Sequence, residues 1–375
     1  MSKRTQPWFV FAGGGTGGHI YPGLAIAAAL HEHQPDCEAT FFTTTRPIDT
    51  QLVQPAGHEV VPQPVLPWNP RPWKWPAFLK AYRQSLRLVR DRFRERKPAA
   101  VLGLGGYASA PAVMSASRMG VPSALLNPDA VPGRANTRLI RRVDLIFAQW
   151  DETLDAIRND DRVRITGCPV RPEFLTITHD EGCKVCGLDP ARHVVAITGA
   201  SQGAATLNSA ALSLAPFFAE EFPEWQIIHI TGPGDYEAVK KEYARVLPRA
   251  KVFAFTDKMA WVMAAADLVI SRAGASTLAE LTVMGRPSIL LPYPYDRRKH
   301  QMANAKVVSK AEGAIVIEDK IKPHVNAKAL KPALRDLMTS HERRRRMGRA
   351  ARVVARADAA DAIAVKLVDM ADTED

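Results

Sequence analysis

Two glycine-rich segments, half a chain apart, carry residue types that hold phosphate. The first is Phe11-Ala-Gly-Gly-Gly-Thr-Gly-Gly-His19 and the second is Thr198-Gly-Ala-Ser-Gln-Gly-Ala204. Each follows a short apolar, β-branched run and precedes an alanine-rich helical pattern. Glycine lets backbone N–H groups approach a ligand closely, and a helix N-terminus favours an anion. His19 closes the first loop, where the positive end of a helix dipole disfavours imidazolium. A neutral imidazole beside a phosphate loop suits general-base work, and equally capping or hydrogen bonding to a ligand phosphate. Gly13-x-Gly15-x-x-Gly18 alone fits the dinucleotide fingerprint, which also requires an acidic residue at the end of the second strand. That strand ends Thr43-Thr-Thr-Arg46, so only an NADP variant, with Arg46 on a 2′-phosphate, stays open.

The densest motif is Ser271-Arg-Ala-Gly-Ala-Ser-Thr-Leu-Ala-Glu280, which follows the apolar run Asp267-Leu-Val-Ile270. A strand ends there in a small-residue turn that opens a helix. Turn N–H groups and the hydroxyls of Ser276 and Thr277 can hold phosphate. Glu280, one turn further on, can accept both hydroxyls of a ribose, and Arg272 adds fixed positive charge. Plain helix capping explains the Ser, Thr and Glu but not the Gly-Ala turn or the arginine. Beyond the next strand, a polar loop leads to His300, Gln301 and Asn304; the last two share a helix face and suit uncharged sugar hydroxyls. No Asp-x-Asp metal anchor occurs, so a diphosphate leaving group is expected to rely on helix N-termini and side chains, with no metal and no cofactor.

Apolar runs alternating with helical segments position these residues. Strands are expected near 8–11, 39–43, 100–104, 123–126, 145–147 and 163–166, then near 194–197, 226–230, 252–255, 268–270, 288–291 and 314–317. The alternation predicts mostly parallel sheets in an α/β chain. A Gly/Pro stop at Gly167-Cys-Pro-Val-Arg171 marks a boundary, and a basic, alanine-rich helical tail follows Arg343. With 375 residues the chain has room for two domains. Its net charge of +11 calls for an anionic partner: nucleic acid, anionic lipid or a phosphorylated substrate. The four cysteines are too few for a disulfide framework, and Cys183-x-x-Cys186 lacks a second pair, so both read as helix residues of a surface segment. No apolar run reaches the roughly 18 residues of a membrane span. The N-terminal apolar run breaks into glycines and reads as a strand, not a signal, so a cytoplasmic protein is expected.

Six stretches together resemble the N-acetylglucosaminyltransferases of peptidoglycan synthesis within glycosyltransferase family 28: Gly14–His19, Leu102-Gly-Leu-Gly-Gly-Tyr107, Gly167–Arg171, Gly199–Ala204, Ser271–Glu280 and His300-Gln-x-x-Asn-Ala305. The resemblance implies a GT-B fold, with two Rossmann-like domains whose parallel sheets face a central cleft. Residues 1–167 would form the acceptor and membrane-side domain, with a C-terminal helix at about 350–371 packing back on it. Residues 168–349 would bind the UDP-sugar. The implied reaction moves GlcNAc from UDP-GlcNAc to the MurNAc 4-hydroxyl of undecaprenyl-diphospho-MurNAc-pentapeptide, with inversion. Carried over, Arg171, Ser201, Thr256, Arg272 and Gly274, Ala275, Ser276, Thr277, Leu278, Ala279 and Glu280 would hold UDP. Asn208, Gln301 and Asn304 would place diphosphate and sugar. Gly14, Gly15, Thr16, Gly17, Gly18, His19 and Tyr107 would line the acceptor side; Thr16, Gly17, Gly18 and Asp129 also count among the UDP-GlcNAc-binding positions. His19 is the expected base and Asp129 the alternative.

Two departures bear on this. The family's His-Glu-Gln-Asn stretch reads Leu126-Asn-Pro-Asp129 here, and the loop before His300 is one residue longer. The first keeps open a related transferase acting on another lipid, such as diacylglycerol. A basic nucleic-acid-binding protein is the remaining alternative, but no groove-reading motif appears and no nucleic-acid partner is expected. Trp68-Asn-Pro-Arg-Pro-Trp-Lys-Trp-Pro-Ala-Phe-Leu79 combines indoles, prolines and cations, and the following helix carries Lys80, Arg83, Arg87, Arg90, Arg94 and Lys97. A polyprenyl acceptor stays in the bilayer. Trp68, Trp73, Trp75 and Phe78 are therefore expected to dock the chain on an anionic membrane surface at the cytoplasmic face. The competing reading places these tryptophans in the core.

Overall fold

The computed structural model describes residues 6–199 and 203–372. They divide into two compact units: the chain up to Arg171 together with the segment from Arg356, and the stretch Pro172–Ala355.

Unit 1 runs β1 (Trp8–Ala12), α1 (Gly17–His33), β2 (Glu38–Thr43), α2 (Pro47–Val53), β3 (Glu59–Pro62), α3 (Trp75–Glu95), β4 (Ala100–Gly103), α4 (Ala110–Met119), β5 (Ser123–Asn127), α5 (Arg134–Leu139), β6 (Leu145–Ala148), α6 (Glu152–Ala156) and β7 (Val163–Ile165). The strands form one sheet in the order β3-β2-β1-β4-β5-β6-β7. Neighbours pair in parallel throughout, as at Phe11–Phe41 and Phe11–Leu102. The central strand β1 is apolar on both faces because both are covered. Phe9 and Phe11 pack with Ile26, Leu30 and Phe41 on one side, while Trp8, Val10 and Ala12 pack with Phe42, Val89 and Phe93 on the other. Each buried phenylalanine contributes about 2–3 kcal/mol. Strand β3 is absent from the sequence-based expectation. It is a short edge strand that pairs only with β2 and ends at Pro62, where a missing N–H costs nothing.

Unit 2 runs α7 (Glu173–Thr176), α8 (His179–Cys186), β8 (Val194–Thr198), α9 (Ala205–Glu221), β9 (Gln226–Ile230), α10 (Tyr236–Val246), β10 (Lys251–Phe253), α11 (Met259–Ala265), β11 (Leu268–Ser271), α12 (Ala275–Met284), β12 (Ser288–Leu290), α13 (His300–Lys310), β13 (Ala314–Val316), α14 (Pro323–Thr339) and α15 (His341–Val353). Its sheet has the order β10-β9-β8-β11-β12-β13, again parallel. The surface-segment reading of Cys183 is corrected. Gly182 lets α8 approach α11 so closely that an added Cβ would lie 2.6 Å from the Trp261 carbonyl oxygen. Cys183 is buried, and burial pushes its thiol up to about 11. The single tail helix is corrected too. The chain turns at 354–358 and resumes as α16 (Ala359–Asp372), whose Ile363, Leu367 and Met370 join the unit 1 cluster around Phe9 and Leu30. His33 on α1 meets Asp361 on α16 at 2.5 Å.

A polar network lies inside unit 2. His229 on β9 faces the Asn208 Oδ1 at 3.0 Å and the Tyr243 hydroxyl at 3.2 Å. Burial drives its imidazole from 6.5 down to about 3. The unfolded chain therefore binds a proton that the folded unit refuses, and stability rises with pH between those values. Acidification from pH 6.5 toward 3 is expected to cost about 1.4 kcal/mol per pH unit through this one group. Denaturant titrations of the parent and of His229→Gln at several pH values check this. The variant is less stable at neutral pH but shows a shallower acid dependence.

Candidate active site

In unit 1 the strand order reverses between β1 and β4, so the connections leaving their carboxyl ends diverge. That divergence is where open α/β sheets bind ligands. Gly14 and Gly15 turn sharply after β1 with φ of +146° and +85°. Both Asp49 carboxylate oxygens accept the Gly15 N–H, at 2.8 and 2.9 Å, and Oδ2 also accepts the Thr44 N–H and hydroxyl. From the other side Arg46 Nη1 donates to the Gly15 carbonyl at 2.8 Å. Arg46 thus braces the loop, which corrects its reading as a 2′-phosphate ligand. The first carboxylate beyond the second strand, Asp49 on α2, is fully buried and spent on this loop.

Thr16 precedes α1 in extended backbone, and Gly17 and Gly18 form the helix's first turn. The half-buried His19 ring follows. Its Nδ1 lies 3.2 Å from the Gly14 carbonyl oxygen, so Nδ1 carries the proton and Nε2 presents a lone pair. Burial holds the imidazole below its usual value, while the Gly14 contact and the charges of Asp129 and Asp49 act the other way. The net result is a neutral ring at pH 7. The loop after β4 closes against it: a Cβ on Gly106, whose φ is +74°, would sit 3.2 Å from His19 Cε1. The Tyr107 hydroxyl lies 3.7 Å from the position a Gly15 Cβ would take. At the end of β5, Asn127 donates to the Asp129 carbonyl at 2.7 Å and accepts from Asn136 at 3.0 Å. This amide pair, unread in the sequence, shapes the stretch that departs from the family. Gly14, Gly15, Thr16, Gly17, Gly18, His19, Tyr107 and Asp129 therefore share one edge of the unit 1 sheet.

The tryptophans are not core. Trp68, Trp73 and Trp75 are 44%, 72% and 45% exposed, and exposed Leu66, Leu79 and Val131 extend the apolar surface. Phe78 is half-buried and stacks on Tyr82. Helix α3 buries Ala81, Ser85, Val89 and Phe93, a stripe that leaves Leu79, Lys80, Arg83, Arg87 and Arg94 outward. The guanidinium of Arg134 lies over Trp68. Among the described residues no helix is long and apolar enough to cross a membrane.

In unit 2 the reversal falls between β8 and β11. Of the loop after β8, Ser201 lies outside the described residues. Gly203 has φ of +74°, and a Cβ there would meet the Thr231 carbonyl oxygen at 2.1 Å, so only glycine fits. Gly274 caps α12 in extended backbone. In the turn that follows, Ser276, Thr277 and Glu280 are half-buried, while the Ala275, Leu278 and Ala279 side chains are buried. Leu278 and Ala279 can thus offer only backbone. Half-buried Thr256 accepts the Lys258 N–H at 3.0 Å. Arg171, at the end of unit 1, lays its guanidinium 4.4 Å from the Tyr21 ring centroid.

Four expected ligands are instead tied into the scaffold, Gln301 through its amide oxygen. Buried Asn304 donates to the Ala273 carbonyl at 3.5 Å, and Gln301 Oε1 accepts the N–H groups of Ala273 and Tyr293. Their i, i+3 face is real, but it clamps the β11–α12 turn. Buried Asn208 donates to the Thr231 carbonyl and to Asp235 Oδ2. Buried Arg272 directs both terminal nitrogens inward, Nη1 to Asp319 and the Leu291 carbonyl at 2.8 Å each and Nη2 to the Thr206 hydroxyl at 2.6 Å. Asp319 itself had no sequence signal. Among the described residues no group of three or more His, Cys, Asp or Glu side chains could hold a metal ion.

Comparison with known proteins agrees over most of the chain. Residues 9–148 match the glycosyltransferase family 28 N-terminal domain and residues 194–363 its C-terminal domain. A UDP-N-acetylglucosamine--N-acetylmuramyl-(pentapeptide) pyrophosphoryl-undecaprenol N-acetylglucosamine transferase of Thermoanaerobacter sp. (strain X514) is 32% identical over 361 residues, covering 95% of this chain and 97% of the relative. The protein of that name from Carboxydothermus hydrogenoformans is 36% identical over 314 residues, covering 83% and 84%. The crystal structure of Acinetobacter baumannii MurG superposes with a TM-score of 0.72 at 23% identity, covering 97% of this chain and 99% of that one. That likeness shows the fold, GT-B with two Rossmann-like units.

Proposed function

The chain belongs to glycosyltransferase family 28, and from that premise we propose that it transfers GlcNAc from UDP-GlcNAc to the MurNAc 4-hydroxyl of a polyprenyl-diphospho-MurNAc-pentapeptide, the step from lipid I to lipid II in peptidoglycan synthesis. The observation that carries this is the 32% identity over 95% of the chain to a relative of that name.

In this reading unit 1 handles the acceptor and unit 2 the donor. His19 Nε2 accepts the proton of the 4-hydroxyl, and the freed oxygen attacks the anomeric carbon of GlcNAc from the face opposite UDP. The linkage inverts to β and UDP leaves. Charge growing on the leaving diphosphate is met by the amides opening α12 and the hydroxyls of Ser276 and Thr277. Glu280 accepts the ribose hydroxyls. Gln301 Nε2, the part of the amide outside the two bonds described above, faces the sugar. The resemblance adds Arg171, Ser201 and Thr256 to the UDP contacts. The exposed tryptophans hold unit 1 to the cytoplasmic face of the membrane, where the acceptor resides. NMR of the product tests the stereochemistry: a β-linked disaccharide is expected, and an α linkage rules the mechanism out.

The donor assignment has its own prediction. Glu280→Ala removes a charge-assisted contact and should weaken UDP binding by about 1.5–3 kcal/mol. Calorimetry measures it, and unchanged affinity would show that Glu280 does not hold the ribose.

A further inference from the structure

Arg272 and Asp319 hold together four separate connections at the carboxyl edge of the unit 2 sheet. The Arg272 residue itself lies in the connection after β11. Its guanidinium reaches Thr206 on α9 after β8, the Leu291 and Pro292 carbonyls after β12, and Asp319 after β13. Asp319 is fully buried, and both its oxygens are occupied. Oδ2 accepts from Arg272 and from the Thr206 hydroxyl, while Oδ1 accepts the Asn326 amide and the Ile321 N–H at 2.7 Å each. Burial alone would raise its carboxyl, but the bonds from Thr206, Asn326, Ile321 and Arg272 pull it below the usual value, so the carboxyl is ionised. Asp319 also supports backbone strain: Ile321, a β-branched residue, has φ of +69° and is fixed by its N–H bond to Asp319.

An internal ion pair of this kind is not needed for stability, since apolar packing can replace it. Its geometry has another consequence. The two residues after Arg272 lead directly to the α12 N-terminus, and Ala273 is itself clamped by Gln301 and Asn304. The residues leading into α12 are therefore fixed relative to the first turn of α9 and the connection after β12. We infer that Asp319, acting through Arg272 and Thr206, is a positioning residue that sets the donor-binding loops of unit 2 in register for a nucleoside diphosphate. This rests on the reading of unit 2 as the UDP-sugar unit.

The test compares the parent with Asp319→Asn and Thr206→Val, using calorimetry with UDP and steady-state kinetics with UDP-GlcNAc. An asparagine at 319 must turn its NH2 toward donors on one side or the other. Thr206→Val removes a single hydroxyl and leaves the ion pair intact. At a temperature where circular dichroism shows each variant folded, the UDP Kd and the KM for UDP-GlcNAc are expected to rise at least tenfold in Asp319→Asn and about threefold in Thr206→Val, with the acceptor KM unchanged. A merely structural role would lower Tm and leave both constants alone. Folded variants that bind UDP within twofold of the parent overturn the inference. If Asp319→Asn does not fold, Thr206→Val decides alone. A parent that fails to bind UDP overturns the donor-unit reading itself, and the inference with it.

Discussion

His19→Ala is expected to lose about 10²–10⁴-fold in turnover at saturating substrates while binding UDP as tightly as the parent. The Gly14 carbonyl fixes the Nδ1 proton, so Nε2 is the basic atom, and burial keeps the ring neutral near pH 7. The loop after β4 packs against the imidazole, with its Cε1 3.2 Å from the position a Gly106 Cβ would take. The pH profile carries an independent signature. The neutral ring is the active form, so kcat/KM falls as pH drops through an apparent pKa below 6.5, the ordinary histidine value. In His19→Ala that acidic limb disappears. Asp129 is the competing base, since its charge acts on the same ring. If Asp129→Ala loses the rate and the limb while His19→Ala keeps both, the two residues exchange roles.

Replacing Trp73, Trp75 and Phe78 together with serine is expected to abolish vesicle binding while leaving UDP affinity intact. Indole rings settle at headgroup depth, and each basic residue near an anionic surface contributes about 1 kcal/mol. Trp73 is 72% exposed and Trp75 45%, a large apolar cost for a surface that meets only water. Arg71, Lys74, Lys80, Arg83 and Arg87 stand exposed around them. Sedimentation with vesicles should rise with anionic lipid content and fall with salt. Unchanged sedimentation of the triple variant would show that the patch does not dock.

Much of this was legible because short, strong patterns carry it. The run Trp8–Ala12, apolar on both faces, reads as a central parallel strand. The glycine loop after it reads as a ligand loop because only glycine tolerates its dihedral angles. The turn from Ser271 into α12 was equally plain. What escaped was non-local. Asp49 reaches Gly15 across 34 residues and Asp319 reaches Arg272 across 47, and neither carboxylate has a neighbour in sequence that marks it. The same distance explains the misread side chains. Arg272, Asn208 and Asn304 have residue types suited to a ligand, but a linear pattern does not say which way they turn, and here they turn inward. Helix α14 escaped because Pro332 resembles a breaker; it lies on the exposed side, while Leu330, Leu334 and Leu337 fill the core. The exposure of the tryptophans was undecidable in advance, since aromatic residues beside leucines fit a core as well as a membrane.

The most direct measurement is transfer of radiolabelled GlcNAc from UDP-GlcNAc in mixed vesicles that contain either a polyprenyl-diphospho-MurNAc-pentapeptide or diacylglycerol as the only acceptor. The altered stretch ending at Asp129 makes the second acceptor the pertinent control. Label is expected in the diphospholipid alone, with one UDP released per sugar moved. Label in diacylglycerol alone, or in neither lipid, would contradict the assignment.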